Sequence, residues 1–292
     1  MSQADLPQAT LVVGTRNRPA LLRATIESVL AGNEVPAEIV VVDQSDEPSF
    51  VLAELSREDC VIRVLPASEP GLSRARNEGA MAASSELLVF VDDDMVADRE
   101  WFGSLIRALA GAGPKTVVTG AVEAGPGESW RSFFPATQSH APGAVFEGRL
   151  DRDVLAGGHM AITRSALDEV GGFDPRLGPG AAYPAAEDND LGFRLLEAGY
   201  RIAYVADAVL HHRAWRAGWR YPLVRFSYGR GKGGFYAKHP AQLRRRAVRD
   251  VTHRLRRFPR QLIRRPSLAA GDVAYVAGIL VGSTRWWLRE RR

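Results

Sequence analysis

The sequence predicts an α/β protein, a mostly parallel sheet with helices on both faces, followed by a basic, mainly helical C-terminal extension. Three observations predict it. Short apolar runs alternate with helix-patterned stretches through the first hundred residues. Several of those runs end abruptly in polar or acidic residues, the pattern of strand ends on one edge of an open sheet. The charge also divides along the chain: from His211 onward there are 21 Lys and Arg against three acids, a net of +18, whereas residues 1–210 carry a net of −14.

In order, Thr10 to Gly14 is a strand followed by Thr15-Arg16-Asn17-Arg18-Pro19. Pro19 suits a first helical turn, and Leu21, Leu22, Thr25, Ile26, Val29 and Leu30 supply its apolar stripe. A second strand, Glu38 to Val42, ends in Asp43-Gln44-Ser45-Asp46. A helix over 50–55, a strand from Val61 to Leu65 and a helix beginning near Leu72 come next. Leu87 to Val91 then reads as a strand buried on both faces, ending in Asp92-Asp93-Asp94. Three adjacent carboxylates at a core strand end call for a cation, so a divalent metal facing a phosphorylated ligand is one reading; a solvated acidic loop or helix cap is the other.

Trp101 to Ala110 is a helix and Val117 to Val122 a strand. Residues 125–143, rich in Gly, Pro and Ser and carrying Trp130, Phe133 and Phe134, read as a long loop. Val154 to Ile162 is strand-like around Gly157-Gly158, where small residues admit close approach of a ligand. Ser165 to Val170 is a short helix. Glu187-Asp188-Asn189-Asp190 heads another helix, either as a simple acidic helix start or as a general base aimed into a cleft. A last strand from Arg201 delivers His211-His212, either of which suits a mixed oxygen and nitrogen metal site with the aspartates. Asp43 suits a ribose or base edge or else simply a turn, and Arg76 and Asn77 at a helix start suit phosphate oxygens, or Arg76 a solvated helix face.

The ordered series Thr-Arg-Asn-Arg, Asp-x-Ser-Asp, Gly-Leu-Ser-x-Ala-Arg-Asn-x-Gly, Phe-Val-Asp-Asp-Asp, Gly-Gly-His and Glu-Asp-x-Asp-Leu-x-x-Arg-Leu resembles the inverting nucleotide-sugar glycosyltransferases of family 2, which have the Rossmann-like GT-A fold. The resemblance covers roughly Thr10 to His212. It implies a GT-A domain over 1–212 and a basic extension over 213–292. It further implies that Thr15, Arg16, Asn17, Asp43, Arg76 and Asn77 hold the nucleotide, with Asp92 and Asp93 beside them. Asp94, Asp92 and His212 would bind Mn2+ or Mg2+, Asp188 with Glu187 would supply the catalytic base, and Gly157, Gly158 and His159 would line the donor-sugar and acceptor pocket. The donor would be a nucleoside-diphosphate sugar and the acceptor a glycan or lipid-linked hydroxyl.

Rival readings are weaker. Sugar-1-phosphate nucleotidyltransferases share a Gly-Thr-Arg element but carry further glycines ahead of it, where this chain has Leu11-Val12-Val13. A non-catalytic sugar-nucleotide-binding or membrane-associated scaffold is the alternative from another class. The Tyr228–Gly234 glycine cluster lacks the strand-loop-helix context of a triphosphate site. The single Cys60 excludes an intramolecular disulfide and a cysteine-based zinc site. Met1 to Thr10 has no secretory pattern, and the longest charge-free apolar stretch near the C-terminus, Val273 to Thr284, is shorter than a bilayer span. The expected setting is cytoplasmic with no nucleic-acid partner; the arginine- and tryptophan-bearing extension reads either as a peripheral dock on an anionic membrane surface or as a solvated helix pair packing its Leu side on the domain.

Overall fold

The computed structural model describes residues 6–47, 52, 54–67, 69–125, 132–133, 137–213 and 215–290. The first half runs β1 (Ala9–Thr15), α1 (Pro19–Leu30), β2 (Glu38–Asp43), β3 (Val61–Pro66), α2 (Leu72–Ala82), β4 (Leu87–Asp92), β5 (Met95–Ala97) and α3 (Trp101–Gly111). The second runs β6 (Thr116–Ala124), β7 (Ser132–Phe133), β8 (Val145–Phe146), β9 (His159–Thr163), α4 (Arg164–Glu169), α5 (Glu187–Glu197), β10 (Arg201–His212), β11 (Arg216–Ala217), α6 (Tyr221–Lys238), α7 (Pro240–Arg264) and α8 (Pro266–Arg289).

One sheet carries the order β3-β2-β1-β4-β9-β6-β10-β5, with β8 added on β10. The β3-β2-β1-β4 half is parallel, as is β6 on β10, while β9 runs antiparallel between β4 and β6. Every residue of β1 and β2 is buried, which explains their unbroken apolar pattern. One face packs under α1 and α3 through Ile26, Trp101, Leu105 and Ile106. The other packs under α2, α4 and α5 through Phe90, Phe173, Leu191 and Leu195.

Register gathers the polar strand ends. Gly14 lies opposite Asp92 on β4, and Thr15 opposite Asp43 on β2. The short β5, unforeseen from the sequence, pairs His212 of β10 with Met95, the residue after Asp94. That pairing carries the histidine to the end of the acidic triplet.

Several expectations are corrected. The helix over 50–55 falls partly outside the described residues; at Leu52 and Glu54 the chain makes a turn, closed by Leu55 N–H donating to the Leu52 carbonyl. The strand from Val154 shortens to His159–Thr163, since the glycines before it form a turn. In the 125–143 loop, Trp130 and Phe134 lie outside the described residues; Phe133 pairs through β7 with β11 and meets Tyr221 edge-on at 5.0 Å. Near the C-terminus the helix itself continues past the charge-free stretch: α8, at 24 residues, is long and apolar enough by length and composition to cross a membrane, although 39% of its apolar window is buried within the protein.

The glycine cluster forms helix rather than loop. Glycine inside a helix costs about 1 kcal/mol relative to alanine, and α6 holds four in six residues, at 229, 231, 233 and 234. Close packing offsets this. A Cβ at Gly229 or Gly233 would strike the α8 backbone at Tyr275 or Ile279, and one at Gly278 or Gly282 of α8 would strike the α6 backbone at Phe226 or Arg230. Gly231, on another side of α6, lies against the backbone of Ala185.

Candidate active site

A cavity of about 630 Å3 opens along the C-terminal edge of the parallel strands. Thr15, Arg16, Asp92, Asp93 and Asp94 line one side, Glu187 and Asp188 another, and Arg225, Tyr228 and Lys232 of α6 help close it. Asp94 and Asp188 therefore share one hollow.

On the triplet side, the Nε2 atom of His212 lies 3.1 Å from Asp94 Oδ1. His211, on the opposite face of the strand, turns instead to Asp98 at 3.0 Å; strand alternation separates the two histidines. Arg18 Nη1 stands 3.1 Å from both Asp93 and Asp94. Burial raises the Asp94 carboxyl, but the His212 hydrogen bond and charge and then Arg18 outweigh it, holding the group below its usual value. Asp93 goes the other way: burial pushes it up to about 6 despite the hydrogen bond it accepts from the Thr15 hydroxyl at 2.7 Å.

Asp92 is engaged by Arg76, a side chain only 2% exposed, at 2.6 Å. The same guanidinium lies 3.4 Å from Glu187 and so links the two acidic corners. Among the described residues no group of three or more His, Cys, Asp or Glu side chains stands ready to cage a metal. Of the expected set of Asp94, Asp92 and His212, Asp94 and His212 stand together as an oxygen and nitrogen donor pair, while Asp92 is paired with the buried Arg76. Such a pair fits a hard or borderline divalent ion that takes its remaining ligands from phosphate and water.

On the other side, α5 starts at Glu187 immediately after Ala186, which adopts a left-handed conformation (φ 73°). For a residue with a Cβ this is strained by roughly 1–2 kcal/mol, and the surrounding packing has to hold it. Gly231 of α6, seated on Ala185, is part of that packing. Burial, then the neighbouring Asp188, raises Glu187 to about 7, against the pull of Arg76. Burial also raises Asp188, with Asp153 adding to it and Arg76 opposing. Lys232, buried in α6, donates to Asp153 at 2.6 Å and to Asn189 at 2.7 Å, which brings the extension to the residue beside Asp188.

The remaining expected residues divide. Arg16 lines the cavity and pairs with Asp46 at 3.2 Å, while Asn17 donates to Asp46 at 2.7 Å. Asp43 is buried and accepts from the Ser45 N–H. Asn77 turns from the cavity, holding the backbone N–H and carbonyl of Phe173 with both ends of its amide. Gly157 and Gly158 stand behind the polar groups rather than before a ligand: a Cβ on Gly158 would overlap the Asp92 carboxylate, and one on Gly157 would crowd Arg76 and Asp188. His159 does not line the cavity. It is fully buried, accepts a hydrogen bond from the Trp101 indole at 2.8 Å, and burial lowers its pKa to about 3.

Sequence reasoning missed Arg18, Gln44, Asp153, Arg216 and Lys232. Gln44 follows the expected Asp43 and bonds the backbone at Glu69 and Gly71 through its amide. Lys232 lay inside the glycine cluster, the one signal that marked it.

This arrangement of fold and site defines a GT-A-type, family-2 glycosyltransferase-like protein. The chain belongs to the family described as "Glycosyltransferase like family 2", whose profile matches residues 7–253. It is 28% identical over 215 residues to the pre-mycofactocin glycosyltransferase of Mycobacterium tuberculosis, covering 70% of this chain and 42% of that protein. It is 26% identical over 198 residues to the glucosyl-dolichyl phosphate glucuronosyltransferase of Haloferax volcanii, covering 65% and 63%. The chain thus spans less than two thirds of the length of these curated relatives. Among solved structures, a mannosyltransferase from Pyrobaculum calidifontis in complex with GDP-Man and Mn2+ is similar over 100% of this chain and 90% of that one, with a TM-score of 0.63 and 17% identity. GalNAc-T7 with UDP, GalNAc and Mn2+ gives 0.57 at 19% identity over 81% and 51%. At these identities the likeness is one of fold.

Proposed function

We propose that the protein is a metal-dependent inverting glycosyltransferase that moves a sugar from a nucleoside-diphosphate donor to a hydroxyl of a glycan or lipid-linked acceptor. The observation that carries this reading is the single cavity lined both by the Asp94–His212 pair and by Glu187-Asp188. Asp94 and His212 would hold Mn2+ or Mg2+, and Thr15, Arg16 and Arg18 border the same side of the cavity. Bound there, the ion would supply charge neutralisation to the departing nucleoside diphosphate.

The chain's own groups do the rest. Asp188 takes the proton of the attacking hydroxyl; its raised pKa brings its basicity nearer to neutral pH, where a general base is most effective. Attack from the face opposite the leaving group inverts the anomeric centre in one displacement and needs no covalent enzyme intermediate, as in inverting glycoside chemistry. Arg76, between Asp92 and Glu187, keeps both acidic corners at fixed spacing. Lys232 neutralises Asp153 and so limits the negative charge around the base.

Thermal unfolding with UDP, GDP and dTDP, each with and without Mn2+, tests the binding half. A shift that needs nucleotide and metal together is expected, and a sugar-nucleotide screen for nucleoside-diphosphate release should then identify a donor. A shift indifferent to metal, with no turnover on any donor, would favour the non-catalytic binding protein.

A further inference from the structure

Helix α7 carries arginines of two kinds. Arg246, Arg249, Arg254 and Arg257 reach Asp153, Asp151, Asp250 and Asp272 respectively. Arg244, Arg245, Arg256, Arg260 and Arg264 are exposed and have no acidic partner among the described residues. The outward face is not purely polar, however. Val248, Leu255 and Leu262 stand 57%, 55% and 53% exposed on it, and a spacing of seven drifts only about 20° per step around a helix. Helix α8 repeats the device: Val273, Leu280 and Trp287 are also seven apart and exposed, with Val281 and Leu288 beside them. Of fifteen large apolar side chains exposed among the described residues, eleven lie beyond His212, which concentrates the feature in the extension.

We propose that α7 and α8 form a docking surface for an anionic lipid bilayer. Their apolar stripes enter the boundary between headgroups and acyl chains, and the outward arginines meet lipid phosphates. Charge complementarity selects this occupant. A second copy of the chain would bring five unpaired arginines of one α7 against five of the other. A nucleic acid would satisfy the arginines but leave both apolar stripes in water. A spanning role does not fit α8, whose inner side is locked to α6 by Gly278 and Gly282. The helices therefore lie on the surface. This inference rests on the extension alone and stands or falls separately from the transfer reaction.

The test is co-flotation of the full chain with vesicles of phosphatidylcholine alone or with about 30% phosphatidylglycerol, alongside its oligomeric state. At least tenfold greater partitioning onto the anionic vesicles is expected, reversed by high salt and by alkaline carbonate. Leu255→Glu with Leu280→Glu should lower it at least fivefold with an unchanged melting temperature. Arg244→Gln, Arg245→Gln and Arg256→Gln together should do the same, and this set serves if the glutamate variants fail to fold. Equal partitioning onto neutral vesicles, resistance to carbonate, or full binding by the glutamine variant would overturn the proposal. So would variants that only dissociate a dimer.

Discussion

The cleft has two acidic corners, and Asp94 at one is treated oppositely to Glu187 and Asp188 at the other. At one, Asp94 is held below its ordinary pKa by His212 and Arg18 against the effect of burial. At the other, burial and neighbouring carboxylates raise Glu187 and Asp188, with Arg76 only partly opposing. Asp94 is thus held as an anion on one side, while Glu187 and Asp188 on the other side, and Asp93 beside Asp94, are pushed toward their protonated forms. Surroundings drive carboxyl pKa values apart: Arg18 faces both Asp93 and Asp94, and it is the His212 hydrogen bond and charge that hold Asp94 down while burial raises Asp93.

Breaking either corner should have distinct consequences. Asp188→Asn should reduce turnover by roughly 10²–10⁴-fold, the usual contribution of a general base, and leave the nucleotide-and-metal thermal shift nearly intact. Steady-state kinetics beside the melt separates the two, and retained turnover would remove Asp188 from the role. Asp94→Ala should abolish the Mn2+-dependent part of the shift, because His212 would remain as a lone nitrogen donor. Gly233→Ala should destabilise the fold by about 2 kcal/mol, since an added methyl has no room against α8; chemical denaturation reads this directly.

Two smaller effects sharpen the contrast. Arg18→Gln removes the cation that lies against Asp93 and Asp94, so Mn2+ alone should bind several-fold more tightly, measured by the free-Mn2+ signal in electron paramagnetic resonance. At the other corner, Glu187 keeps its proton in the fold up to about 7. Between the ordinary glutamate value of 4.5 and that point the folded state binds more protons than the unfolded one, so this group makes stability fall as pH rises through the window. Glu187→Gln should flatten that slope, seen as a smaller change in melting temperature between pH 5 and pH 7.5 at about equal ionic strength.

Much of the frame was legible because strand ends are written in local pattern. The Leu87–Asp92 run, the Pro19 helix start and the acidic head of α5 each follow from apolar period, capping and dipole rules. What escaped depends on contacts between distant residues. Nothing local assigns Arg76 to Asp92, or makes Gly157 and Gly158 a space for polar side chains behind the cleft. The family resemblance places His159 in the pocket, yet its strand register turns it under Trp101. The glycines of α6 oppose helix by propensity, and close packing against α8 and the main chain at Ala185 overrides it. The short β5 likewise hides in three residues after the triplet, although it decides which histidine meets Asp94.

Gly231 leaves no gap between α6 and the main chain at Ala185, one residue before the strained Ala186 and two before Glu187. Displacing that helix must either drag the turn along or clash with it. The tail and the acidic head of α5 are therefore joined as a lever is to its fulcrum, and a load on one end is felt at the other.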